Sequence, residues 1–136
     1  MQLSAYLGFK GECATAFKFY ERCFGGKLEL MLTYGESPMA DQVTPASREQ
    51  IIHARLRVGN TLLMGSDAPP DHYQQPKGLY VSVGVDTVAD AERIFGELAE
   101  KGGVQMPMTK TFFAERFGMV TDRFGIAWMV NCEPAA

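Results

Sequence analysis

An internal repeat constrains the fold of this chain more than any other feature of the sequence. Ala16 and Tyr20 lie on one helical run, and Ala91 and Phe95 occupy the same places on a second run, 75 residues further along. Each run is followed by a Gly-Gly pair, which is typical of a helix stop. A second match aligns residues 61–64 with 126–129 at a shift of 65. We therefore expect two copies of one structural unit.

Hydrophobic periodicity predicts the same order of elements in both copies. The first copy contains a strand at 2–9, a helix at 13–24, a strand at 27–34, a long loop at 35–50, and strands at 51–58 and 61–66. The second contains a strand at 79–85, a helix at 87–101, an irregular extended stretch at 104–113, and strands at 115–122 and 126–131. The sequence thus predicts an α+β fold of tandem βαβββ modules in a single domain, 1–136. Module 1 is 1–67, the proline-bearing linker is 68–78, and module 2 is 79–132.

Charge and composition exclude several classes of function. The chain has 16 acidic and 13 basic residues without a basic cluster, so nucleic acid is not an expected partner. No apolar run approaches the roughly 20 residues of a membrane span, and no secretory signal begins the sequence, so we expect a cytoplasmic protein without a membrane partner. The three cysteines lack CxxC spacing, which argues against a disulfide framework and a cysteine zinc site.

Alternation along the predicted strands sorts side chains into two faces. Val81, Val83 and Val85 form an apolar set that should pack on a helix, and Met119 is assigned to the same core set. Alternation in the strand at 27–34 places Leu28, Leu30 and Leu32 together. The mixed face would line a cleft, and it carries the candidate ligand-binding residues Ser4, Tyr6, His53, Arg55, Met64, Tyr80, Ser82, Met129 and Asn131.

Several short motifs together resemble a known superfamily. The fragments are Tyr6-Leu7-x-Phe9-x-Gly11-x-Cys13, Phe19-Tyr20, His53-Ala54, Leu63-Met64-x-Ser66-Asp67 and Asp122-x-Phe124-Gly125-x-x-Trp128-Met129. In this order and spacing they resemble the PhnB-like branch of the vicinal oxygen chelate superfamily, which includes glyoxalase I, extradiol dioxygenases and bleomycin-resistance proteins. The resemblance implies the glyoxalase/bleomycin-resistance fold, in which the two modules form an open eight-stranded barrel-like cleft. It also implies a homodimer.

The same resemblance implies a divalent metal held by one residue from the first and last strand of each module. Carried over through the repeat, those positions are Ser4, Met64, Tyr80 and Met129. Thioethers, a hydroxyl and a phenol are poor ligands for such ions, which prefer imidazole and carboxylate groups. We therefore expect no metal at this site and no other cofactor.

Three classes of function stay open at this point. The favoured hypothesis is a binding protein for a small organic molecule, with an anion as one candidate because of Arg55 and His53. The alternative is a metal-dependent lyase, isomerase or dioxygenase of the superfamily kind, and a third is a scaffold or regulatory dimer. The methyltransferase-like label used in the PhnB-like branch is not favoured, because the sequence lacks a glycine-rich strand-to-helix turn. His53 and Arg55 also have an ordinary structural interpretation, as a half-buried histidine and a solvated edge residue.

Overall fold

The computed structural model describes residues 1–134, which form two helices, eight strands and two short 3-10 turns. In chain order the elements are β1 (Ala5–Phe9), α1 (Cys13–Phe24), β2 (Lys27–Thr33), β3 (Ile51–Val58), β4 (Thr61–Asp67), β5 (Val81–Val85), α2 (Val88–Ala99), β6 (Gly103–Thr109), β7 (Arg116–Thr121) and β8 (Ala127–Cys132). The 3-10 turns, Ala40–Gln42 and Pro45–Ser47, lie in the predicted long loop. The predicted α+β class is confirmed.

The chain divides into two compact units, Met1–Gln74 and the part from Gln75 onward. This boundary falls inside the predicted linker. Each unit contains one βαβββ set, as the repeat predicts. The expectation that both units share a cleft within a single domain stays a prediction.

The first unit is a four-stranded sheet with the order β1-β4-β3-β2 and α1 packed on one face. β1 runs parallel to β4, and the other neighbours are antiparallel. The helix buries Cys13, Ala16, Phe17, Tyr20 and Cys23, a set with helical spacing. Phe17 is fully buried, whereas Phe19 and Phe24 are half-buried.

The second unit has the same topology, with the strand order β5-β8-β7-β6 and α2 on one face. Thr87 caps α2, because its side-chain oxygen accepts a hydrogen bond from the backbone N–H of Asp90 at 3.1 Å. The buried residues of this helix are Ala91, Ile94, Phe95 and Leu98. Of these, Ala91 and Phe95 are positions that the repeat aligned with α1.

Two strands differ from expectation in ways that matter for side-chain direction. β6 is a strand where an irregular stretch was expected, although Pro107 and two register shifts interrupt its pairing with β7. In β2, a register shift between Leu28 and Leu30 leaves Glu29 as an extra residue. Leu28 therefore pairs with the buried Leu56, whereas Leu30 pairs with Arg55 and lies on the opposite face. The prediction that the three leucines share a face is wrong.

Neither α1 nor α2 is long and apolar enough to cross a bilayer, and the described part of the chain contains no other candidate helix.

Candidate functional site

Each sheet has one face that packs on its helix and one that points away from it, which we call the open face. In the first unit the helix side is marked by Gly65, where a Cβ would lie 2.7 Å from Cε1 of Phe17. Because neighbouring residues of a strand point to opposite faces, Met64 lies on the open face. Tyr6 and Arg55 pair with Met64 from the two flanking strands, so their side chains share that face.

Tyr6 and His53 form a stacked pair on this open face. Their ring centroids are 5.7 Å apart with an interplanar angle of 19°, and the Tyr6 hydroxyl oxygen lies 3.1 Å from Nδ1 of His53. The hydroxyl can donate to an unprotonated Nδ1, whereas a protonated ring would donate to the hydroxyl oxygen. Tyr6 is 52% exposed and His53 is half-buried, so solvent reaches the pair.

Arg55 and Arg57 lie on the same face of β3 but differ in their partners. Nε of Arg57 donates to Oε2 of Glu29 at 2.7 Å, and this hydrogen bond is the main cause that lowers the pKa of the Glu29 carboxyl. Nη2 of Arg55 lies 3.9 Å from Oε1 of Glu29. Nε of Arg55 is buried without a hydrogen-bond partner among residues 1–134. Arg57 thus donates a hydrogen bond to a carboxylate, whereas Arg55 retains N–H groups that make no hydrogen bond within residues 1–134.

Apolar side chains flank Arg55 on both neighbouring strands. Leu30 pairs with it from β2 and Met64 from β4, while Leu32 lies opposite His53. Simple alternation does not place Leu30 and Glu29 on this surface, because it ignores the extra residue in β2. The open face of the first sheet therefore combines two guanidinium groups, the Glu29 carboxylate near both, one aromatic pair and apolar neighbours.

The second unit brings together three other candidates, Ser82, Met129 and Asn131. Ser82 pairs with Met129, and Asn131 pairs with Gly84, across the parallel strands β5 and β8. Ser82 is exposed, and the other two are half-buried. They form a separate group from Tyr6, His53, Arg55 and Met64, which belong to the first unit.

Met119 lies on the open face of the second sheet, and its assignment to the core is wrong. It pairs directly with Met129, whereas its neighbour Val120 is fully buried and a Cβ on Gly118 would lie 2.7 Å from Cε2 of Phe95. The sequence pattern gave the wrong face for Met119, because Gly118 on the core side has no apolar side chain to indicate burial.

Ser4 and Tyr80 lie immediately before β1 and β5, outside the strands. Both are exposed. Because Tyr6 pairs with Met64 as Ser82 pairs with Met129, Ser4 and Tyr80 occupy equivalent places in the two units, two residues before each pairing residue. The register thus supports the repeat alignment that selected the four positions.

The side chains at these four positions do not fit the divalent metal that the resemblance implies. The first unit offers the hydroxyl of Ser4 and the thioether of Met64, and the second offers the phenol of Tyr80 and the thioether of Met129. Such ions favour imidazole and carboxylate donors. Within residues 1–134, no group of three or more His, Cys, Asp or Glu side chains could hold an ion.

Two buried carboxylates have structural roles. Oδ1 of Asp67 accepts the N–H of Cys13, and Oδ2 accepts the N–H of Ile51. In the second unit, Asp122 lies in the turn between β7 and β8, where it accepts the backbone N–H of Ile126 and the indole N–H of Trp128, at 3.0 and 2.9 Å. Each carboxylate accepts hydrogen bonds from its own unit through both oxygens. This structural role accounts for Asp67 and Asp122 in the motif fragments. Neither is arranged as a general base.

Cys13 is also not activated for chemistry. Its side chain is fully buried, and burial, followed by the nearby Asp67 carboxylate, raises the pKa of the thiol. A thiol must ionise to act as a nucleophile, so this environment opposes reactivity. Cys23 and Cys132 are buried as well.

Comparison with known proteins agrees with this architecture. The model of the Glyoxalase/Bleomycin resistance protein/Dioxygenase superfamily matches residues 5–130. Protein YjdN of Escherichia coli (strain K12) is 34% identical over 139 residues, which cover 96% of this chain and 95% of YjdN. Protein PA1353 from Pseudomonas aeruginosa has a crystal structure that aligns with a TM-score of 0.90 at 50% identity, over 98% of both chains.

The PhnB protein from Bacillus cereus aligns with a TM-score of 0.81 at 22% identity, over 97% of this chain and 99% of that protein, which shows a shared fold. This fold match agrees with the PhnB-like resemblance of the sequence motifs. Because the superfamily model spans nearly the whole chain and YjdN matches 96% of it, the chain belongs to the Glyoxalase/Bleomycin resistance protein/Dioxygenase superfamily.

Proposed function

We propose that this protein binds a small organic anion on the open face of its first sheet, with Arg55 as the principal donor. The observation that carries the proposal is the contrast between two neighbouring arginines. Nε of Arg57 donates to Glu29 at 2.7 Å, whereas the Arg55 guanidinium reaches the same carboxylate only at 3.9 Å and makes no hydrogen bond to it. The Arg55 side chain is 40% exposed, so its guanidinium can donate charge-assisted hydrogen bonds to an anion on the open face.

The neighbours of Arg55 favour an anion with an apolar body. Leu30 and Met64 pair with Arg55 from either side and provide apolar surface. The stacked rings of Tyr6 and His53 offer a flat surface and a hydroxyl next to it. A carboxylate on an aromatic or branched aliphatic group would satisfy both features, because its charge would meet the guanidinium and its body would cover apolar side chains.

The donor chemistry of the superfamily metal positions supports binding without a divalent ion. Ser4, Met64, Tyr80 and Met129 supply no imidazole and no carboxylate. A metal-dependent lyase, isomerase or dioxygenase would need ligands from elsewhere. The superfamily description names resistance proteins beside glyoxalases and dioxygenases, so membership alone favours neither function, and the methyltransferase name carried by the Bacillus cereus protein comes with a likeness of the fold alone.

The test compares ligand binding in the parent and two matched variants. Isothermal titration calorimetry compares the affinities of benzoate and acetate, which differ in the apolar group attached to the carboxylate. Benzoate is expected to bind more tightly. Arg55→Gln should weaken benzoate binding by about tenfold or more, because a charge-assisted hydrogen bond is lost. Arg48→Gln removes an exposed arginine of the same unit, paired with Asp41, and should leave the affinity unchanged.

Two results would contradict the proposal. Equal benzoate affinity in the parent and both variants would remove Arg55 from the site. A stoichiometric metal in the purified parent, whose removal by chelator abolishes binding, would favour the metal-dependent alternative.

The homodimer, the cytoplasmic location and a shared site that also includes Tyr80, Ser82, Met129 and Asn131 stay predictions.

A further inference from the structure

Three methionines lie side by side on the open face of the second sheet. Met119 of β7 pairs with Met106 of β6 on one side and with Met129 of β8 on the other. Residues that pair directly across antiparallel strands project to the same face, so the three side chains share the open face. All three are half-buried, so part of each is reached by solvent. We call these residues the methionine row.

Met106 belongs to the row because of a bulge in β6. Val104 pairs with Val120, and Met106 pairs with Met119, so Gln105 is an extra residue between the two pairs. Val120 is fully buried on the helix side of the sheet. In a regular strand Met106 would share that side with Val104. The bulge instead turns the Met106 side chain to the open face.

The methionine row brings three thioether ligands together. Neighbouring strands lie about 4.8 Å apart, which places the Cα atoms of the two outer residues roughly 10 Å from each other. Methionine has three rotatable side-chain bonds, so the outer sulfurs can turn toward the sulfur of Met119. Thioethers are soft ligands that select Cu(I) and are poor ligands for harder divalent ions. The row therefore suits a soft monovalent ion.

The neighbours of the row along its inner strands are uncharged. On the open face they are Phe117 and Thr121 of β7, and Ala127 and Asn131 of β8. None of these side chains is a cation that would repel a bound ion. None is a carboxylate that would favour a hard ion over a soft one. An ion at this place would be recognised through sulfur.

The equivalent row of the first sheet has a different chemistry. Its members are Leu30, Arg55 and Met64, which pair across β2, β3 and β4 in the same order and after a bulge in the same place. This row contains a single thioether, and the guanidinium at its centre would repel a metal ion. The two units therefore present different ligands at matching positions of the repeat.

We propose that the methionine row binds one soft monovalent metal ion of the Cu(I) kind, with its three thioether sulfurs as ligands. This site differs from the superfamily position for a divalent ion. The two share only Met129, and the other two methionines lie on strands that contribute nothing to the divalent position. The inference is independent of the anion site on the first sheet.

The test is an NMR titration of the full chain, isotopically labelled in its methionine methyl groups, with Ag(I) as the probe. Ag(I) has the charge of Cu(I) and its preference for sulfur, and it stays in one oxidation state. The chain has eight methionines, and those outside the row are internal controls. The methyl signals of the row are expected to move together and to saturate, whereas Zn(II) should leave them in place.

Met119→Leu nearly conserves the side-chain volume and removes the central ligand. It should weaken Ag(I) binding, read from the two remaining methyl signals of the row, by about tenfold or more. Met106→Leu should act in the same way, and it carries the test if the first substitution disturbs the sheet. Met39→Leu removes an exposed methionine of the first unit and should leave the affinity unchanged.

Three results would overturn the proposal. The first is that the methyl signals of the row stay in place at excess Ag(I), as expected if only the buried cysteines take up the ion. The second is that Met119→Leu and Met106→Leu both bind Ag(I) with the parent affinity. The third is that Zn(II) saturates the same signals as tightly as Ag(I), since recognition would then not depend on soft ligands.

Discussion

Asp67 and Cys13 are joined by a hydrogen bond of 3.0 Å, in which the backbone N–H of Cys13 donates to Oδ1 of the carboxylate. The second oxygen of Asp67 accepts the N–H of Ile51 at 2.9 Å. Asp67 is 1% exposed, so water does not compete for either bond. One buried carboxylate therefore ties the end of β4 to the first residue of α1 and to the start of β3.

Replacement of Asp67 by asparagine should destabilise the protein by about 1 to 3 kcal/mol. The amide can accept one of the two backbone N–H groups, but its nitrogen would then face the other donor. Chemical denaturation measures the change. Asp41→Asn is the control, because its side chain is fully exposed and should contribute less than about 0.5 kcal/mol. Equal stabilities for the two variants would show that the buried bonds contribute little.

The Cys13 thiol should make stability fall at alkaline pH. Burial raises the pKa of this thiol, so above the ordinary thiol pKa of about 8.5 the unfolded chain ionises while the folded chain stays neutral. The free energy of unfolding should then decrease with pH by up to about 1.4 kcal/mol per unit, with no contribution from this group at lower pH.

The measurement for Cys13 compares the pH dependence of unfolding in the parent and in Cys13→Ala, where this contribution is absent. The slope of the variant above about pH 8.5 should be the smaller one. Parallel curves for the two proteins would show that the thiol ionises equally in both states, and the assigned burial effect would be wrong.

Substitution of Gly65 by alanine should destabilise the first unit. The added Cβ would lie 2.7 Å from Cε1 of Phe17 and 2.8 Å from the backbone oxygen of Leu7, so the helix must shift or the strands must separate. Overpacking of this kind costs about 1 to 3 kcal/mol.

Gly96→Ala on α2 is the matched control for that substitution. Its new methyl group would meet no described atom within 4 Å beyond its own stretch of helix, and the residue is exposed, so alanine should stabilise by about 0.5 to 1 kcal/mol. Thermal denaturation should move the two melting temperatures in opposite directions. A lower melting temperature for Gly96→Ala, or an unchanged one for Gly65→Ala, would contradict this packing.

Replacement of Glu29 by glutamine should strengthen anion binding. Its carboxylate pairs with Arg57 and lies 3.9 Å from Nη2 of Arg55, so it competes with a ligand for positive charge. Its removal should raise the affinity for benzoate by up to about fivefold, an effect that added salt would reduce. Glu12→Gln, an exposed position at the start of α1, should change nothing. Weaker binding in Glu29→Gln would show that the carboxylate positions Arg55 and does not compete with the ligand.

Local sequence patterns correctly predicted the first and last residues of some elements. The bounds of α1 and β3 agree with prediction, because a helical run stopped by Gly25 and an alternating strand closed by Gly59-Asn60 have clear ends. β6 was not predicted as a strand, since Pro107 breaks its pattern and its conformation depends on pairing with β7. Pairing across strands is a tertiary effect that periodicity does not record.

The same limit applies to the candidate site. Alternation placed Tyr6, His53, Arg55 and Met64 on one face, and the strand register agrees. It could not show that Glu29 is an extra residue in β2, nor that its carboxylate lies closer to Arg57 than to Arg55. Bulges and ion pairs depend on the register between strands, which the sequence alone leaves open.

The central claim, an anion site centred on Arg55, is tested most directly by mapping the benzoate site in solution. A titration followed by two-dimensional NMR should move the amide and side-chain signals of Leu30, His53, Arg55 and Met64, which are neighbours across β2, β3 and β4. The guanidinium N–H signals of Arg55 should show the largest change, because this side chain is 40% exposed and lies 3.9 Å from the Glu29 carboxylate. Saturating shifts confined to other strands, with the Arg55 signal unmoved, would contradict the account.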